Sequence, residues 1–151
     1  MNRDILFVII IFILVISGVY LVFFNKESVS IDSSFNILKS LSEQTKVEFS
    51  NIEAKTFVWS SNNDGQKNIK GKGFTAIGIT NDQTDSVKKY FEENGFKLDF
   101  FNIDSKTLSG ISGYKKDKNA CVVKTTIWKD EKGMPMAVDK MDVDVSCGEL
   151  E

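Results

Sequence analysis

Histidine is missing altogether, and of nineteen basic residues only Arg3 is an arginine. Without histidine the chain lacks the commonest general base and the commonest metal ligand. Its two cysteines, Cys121 and Cys147, are too few for a thiolate metal site, and neither has the histidine partner of a cysteine nucleophile. Phosphate and calcium loops are missing too. Gly71-Lys72-Gly73 stands outside any GxxxxGK[ST] spacing, and the run from Ser60 has Ser60 and Gly71 where an EF-hand needs Asp and Glu. Gly73-Phe74-Thr75 resembles the start of a mature pilin, but no long apolar helix follows it. Net charge is −2 with both signs dispersed, which excludes a nucleic-acid footprint. No cofactor and no enzymatic activity are expected.

Charge is also absent from residues 5–24, ILFVIIIFILVISGVYLVFF. At 1.5 Å per residue a helix of that length crosses the ~30 Å core of a bilayer. No polar face interrupts the run, which argues against a buried core helix. A cleaved signal peptide is the competing reading, with Ser17-Gly18 the small residues at a suitable depth. No cysteine follows the run closely, so a lipoprotein anchor is excluded. Arg3 and the amino terminus precede the run and Lys26 alone follows closely, which points to a cytoplasmic N-terminus. The expected organisation is a single-pass membrane anchor (1–25), a linker (26–32) and an extracytoplasmic domain (33–151). Lysine in place of arginine, with abundant Asn, Ile and Phe, suggests an AT-rich bacterial genome.

Two stretches are nearly the same. Residues 46–57 read KVEFSNIEAKTF and residues 97–108 read KLDFFNIDSKTL, with six identities and ten similar positions in twelve. A helical pattern precedes each. Phe35, Ile37, Leu38 and Leu41 form one stripe after Asp32 and Ser33. Val87, Tyr90 and Phe91 form another after Asn81 and Asp82, with Gly95 as the stop. The spacing predicts an α+β fold of two αββ(β) repeats, 33–79 and 82–147. Tight turns are expected at 52–55 and 103–106, so that Phe49 is equivalent to Phe100. Further strands are expected at 67–79 after Asn62-Asn63-Asp64-Gly65, at 119–128, and at 138–147.

The last two strands can be set in register. If Cys121 faces Cys147, Val123 meets Val145, Thr125 meets Val143 and Ile127 meets Met141 on one face. Lys124 then meets Asp144, Thr126 meets Asp142 and Trp128 meets Lys140 on the other. One register thus yields an apolar face, opposed charges and a disulfide, and a one-residue slip loses all three. By extension Phe96, Gly113, Cys121 and Cys147 form one row, and Leu98, Ile111, Val123 and Val145 the next. The disulfide suits an oxidising compartment.

Candidate partner contacts are Trp128 and the hairpin tip Met134, Pro135 and Met136, since methionine adapts its shape and tryptophan is enriched at hot spots. Met134 and Met136 folding back over the core is the alternative. Phe101 and Ile103 are left to pack under a helix or meet a partner. The sequence therefore points to a membrane-anchored, non-enzymatic binding or assembly module. It would contact the bilayer through residues 5–24 and an unidentified envelope protein or wall component through its domain. A small hydrolase or transferase using carboxylates such as Asp99, Asp104 or Asp142 is one alternative. A secreted toxin or inhibitor, should the anchor be cleaved, is the other.

Overall fold

Cys121 and Cys147 face each other across adjacent antiparallel strands, with Cα atoms 4.1 Å apart and a disulfide between them. The computed structural model describes residues 33–104, 109–127 and 139–150. Along the chain run α1 (33–45), β1 (Glu53–Ser61), β2 (Gly65–Thr80), α2 (Asn81–Glu93), β3 (Lys97–Asp104), β4 (Ser109–Lys116), β5 (Asn119–Ile127) and β6 (Lys140–Glu149). The six strands form one antiparallel sheet in the order β1-β2-β6-β5-β4-β3. The fold is α+β. The apolar run 5–24, Trp128 and Met134–Met136 lie outside the described residues, and no described helix is long and apolar enough to cross a membrane.

The β5–β6 register is the expected one at every described pair, from Cys121 opposite Cys147 to Ile127 opposite Met141. Val123, Val143 and Val145 are buried on one face with the cystine, while Lys124 on the other face is exposed. Both helices cover the cystine face. Leu38 and Leu41 of α1 and Val87, Tyr90 and Phe91 of α2 meet Phe74, Tyr114 and the valines in one core. Phe91 stacks on Tyr114 with centroids 4.7 Å apart, a contact worth about 0.5–1.5 kcal/mol beyond its buried area. α2 begins one residue earlier than its cap pattern predicts. Thr80 is the N-cap, in a reciprocal capping box with Gln83.

Farther from the last hairpin the expected rows fail. The β4–β5 turn holds only Asp117 and Lys118, with Asp117 at φ 53, and it pairs Lys116 with Asn119. That sets Tyr114, not Gly113, beside Cys121. β3 is shifted by three residues from the expected row, pairing Leu98 with Tyr114, and a bulge at Asp99 adds one more, pairing Phe100 with Gly113. Leu98 and Phe100 consequently lie on opposite faces, and Leu98 is exposed. Gly113 serves Phe100 and not the cystine. A Cβ there would sit 2.1 Å from the Phe100 ring.

The twelve-residue similarity does not mark equivalent places. Two helix–hairpin units exist, α1-β1-β2 and α2-β3-β4, but residues 46–52 form no strand and the expected turn at 52–55 runs into β1. Lys46, at φ 54, turns the chain out of α1. Val47 is buried and Phe49 packs edge-on against Phe74, between α1 and β2. Phe100 instead joins Trp59, Ile69 and Ala120 on the face that no described helix covers, the helix-free face among the described residues. There β1 curls over the sheet to touch β3 and β5. Trp59 is fully buried, with its ring 5.0 Å from Phe100. The Asp64–Lys115 ion pair, 2.6 Å, clasps the same end.

Candidate binding site

Four residues of α1, Ser33, Asn36, Ile37 and Ser40, recur at helical spacing beside the stripe that buries Leu38 and Leu41. They wall a hollow of about 670 Å³ whose other side is built from Tyr90, Asn94, Phe96, Lys116 and Asn119. Each wall is tied to the other. The Tyr90 hydroxyl donates to the Ile37 carbonyl at 3.1 Å, and the Ser33 hydroxyl donates to the Asn119 side-chain oxygen at 2.8 Å. Gly95, at φ 78, ends α2, and Phe96 N–H bonds back to the Phe91 carbonyl at 2.9 Å. Lys116 donates to the Asn94 carbonyl at 2.9 Å and sits over the Phe96 ring. A cation suits the C-terminal end of a helix.

The chemistry of this hollow is that of hydrogen-bonding groups beside one cation. Three amides, three hydroxyls and the apolar surfaces of Ile37 and Phe96 line it, with Lys116 its single charge. Burial pushes the Tyr90 phenol up from its ordinary value, and the Ser40 hydroxyl beside it pulls partly back, so Tyr90 stays protonated and donates. Such a lining matches a ligand with hydroxyls, amides and some apolar surface. A second hollow of about 470 Å³ on the other flank of α1 is more apolar, lined by Phe35, Leu38, Phe49, Ile52 and Phe74 with Lys39 and Glu43 at its rim.

The three carboxylates singled out in sequence are not brought together. Asp99 lies in the β3 bulge, Asp104 closes β3, and Asp142 on β6 accepts from the Gly78 N–H at 2.9 Å within the bulge of β2. Asp144, opposite Lys124 in register, bonds instead to Lys55 at 2.5 Å across the helix-free face. Among the described residues no cluster of metal-ligating side chains is present. Sequence reading overlooked the hollow. The stripe Ser33, Asn36, Ile37 and Ser40 is a usable signal, whereas Asn94 at a helix end, Lys116 in a turn and Asn119 at a strand start carry none. Comparisons with protein-family models, with curated proteins and with solved structures return no match.

Proposed function

We propose that the chain is a membrane-tethered, extracytoplasmic binding module whose hollow between α1 and α2 takes a neutral wall component rich in hydroxyls and amides. The observation that carries the compartment is the Cys121–Cys147 cystine, buried in the core, because such bonds persist where the surroundings are oxidising. The uncharged run 5–24 supplies the tether, and the linker 26–32 holds the domain close to the bilayer. The lining of the hollow carries the ligand class, since its donors and acceptors fit a glycan or peptide backbone.

Two measurements test the proposal. An alkaline phosphatase fused after Glu151 should be active outside the cytoplasm, with the full-length protein resisting carbonate extraction. Release into the medium without the first ~20–25 residues, the length of a signal peptide, would sink the tether. Titration with purified wall glycan fragments should shift the NMR signals of Ser40, Asn94 and Asn119, and Asn36→Trp should abolish the shifts by filling the hollow. Shifts confined to other surfaces would reject this site.

A further inference from the structure

The linker enters the domain at one end of the sheet. Ser33, the first described residue after it, donates its hydroxyl to the Asn119 side chain at 2.8 Å, and Asn119 begins β5 beside the Asp117-Lys118 turn. Residues 26–32 reach at most about 25 Å when fully extended, less than the ~30 Å breadth of a small domain. A run 5–24 held in a bilayer therefore keeps the Asn119 end close to the lipid.

Charge is spread unevenly between this end and the other. Lys97 pairs with Lys115 and Lys116 with Asn119. Lys70 and Lys72 flank Gly71, which pairs with Gly148 next to Glu149, the partner of Asn119. Lys70, Lys97, Lys116 and Lys118 are exposed. Lys72 is half-buried, with its ammonium 5.0 Å over the ring of Phe35, itself 38% exposed in the first turn of α1. Against these lysines stand Asp117, Glu149 and Glu92, while Asp64 is bonded to Lys115. At the opposite end, where Ser109 pairs with Asp104 and Thr126, acids prevail among the described residues: Asp82, Asp104, Asp139 and Asp142 beside Lys140. A net charge of −2 for the whole chain hides this polarity. We infer, on the basis of the tether proposed above, that the lysine-bearing end docks on anionic lipid headgroups, with Phe35 at the headgroup boundary. The attraction acts within a Debye length of ~8–10 Å, shorter than the linker's reach. The tether thus brings this end near the surface, and the lysines hold it there.

Full-length protein reconstituted in phosphatidylcholine vesicles, with and without phosphatidylglycerol, tests this. After flotation, lysines are acylated with a membrane-impermeant reagent and their rates read by mass spectrometry. With phosphatidylglycerol present, Lys70, Lys97 and Lys118 should react about fivefold more slowly, the weight of one lysine at an anionic surface. Lys124 and Lys140 should keep their rates, and high salt should erase the difference. Lys97→Gln with Lys118→Gln should abolish the protection of Lys70, whereas Lys124→Gln with Lys140→Gln should leave it intact. Protein that floats with both vesicles but shows no slowing, or equal slowing at both ends, overturns the docking and leaves the tether standing. Protein that floats with neither overturns the tether, and the docking with it.

Discussion

The two faces of the sheet bury apolar surface by different means. On one face α1 and α2 lie across the strands and pack Leu41, Val87 and Phe91 onto the cystine and its neighbouring valines. On the other no described helix is available, and the sheet closes on itself by curling β1 over β3 and β5. Trp59 fills the space, and small residues make room for the large ones. Gly113 accommodates Phe100, and Gly148 accommodates Ile69, whose Cγ2 is 2.4 Å from where a Cβ would stand. A helix-covered face needs apolar side chains at alternate positions. A self-covered face needs large and small side chains matched across non-adjacent strands.

The contrast can be broken most forcefully at Val123, fully enclosed on the helix face. Val123→Asp places an unpartnered carboxylate in that core and should cost about 4–5 kcal/mol or more, enough to unfold the domain in chemical denaturation. Its neighbour Lys124 points to the opposite side, and Lys124→Asp should cost at most ~1 kcal/mol. The reverse ranking would mean that β5 is flipped.

Next in size is a direct comparison of the faces. Trp59→Ala and Phe91→Ala each remove a fully buried aromatic ring and should each cost about 3–5 kcal/mol. A clearly smaller loss for Trp59→Ala would show that the curled face is a loose cover and not a second core. Replacing Cys121 and Cys147 together by serine should lower stability by ~2–5 kcal/mol. A non-reducing digest should recover the two peptides joined.

The smallest effect concerns the clasp that holds the curl. The Lys115 ammonium, bonded at 2.6 Å, holds the Asp64 carboxyl below its ordinary 3.8 despite partial desolvation, with Lys67 adding to it. A depressed folded value means that the contribution is present above the unfolded pKa and is lost as pH falls through the folded one. The melting temperature of the parent should therefore exceed that of Asp64→Asn at neutral pH. The two should converge below the ordinary carboxylate range. A gap that persists in acid would assign the effect to packing.

Legibility followed the same division. The β5–β6 hairpin was readable pair by pair, because alternation, opposed charges and two cysteines all demand one register. The row through Gly113 is off by one residue between β4 and β5 and by three to four between β3 and β4, since the length of each turn and the Asp99 bulge are choices of backbone that side-chain pattern does not disclose. The candidate hollow was half legible. Its α1 wall follows helical spacing, while Asn94, Lys116 and Asn119 come together only because α2 ends beside the β4–β5 turn.

By itself the sequence determined the helices, the last hairpin and its cystine, and an uncharged run long enough to span a bilayer, because each depends on neighbours along the chain or on one pair of strands. Tertiary structure alone decided where two similar segments would go. Phe49 and Phe100 occupy matching places in nearly the same twelve residues, yet one packs beneath a helix and the other beneath a curled strand. Their surroundings differ because burial is set by whatever covers a face, and the cover comes from other elements of the fold: α1 and Phe74 of β2 for Phe49, and Trp59 with Gly113 for Phe100.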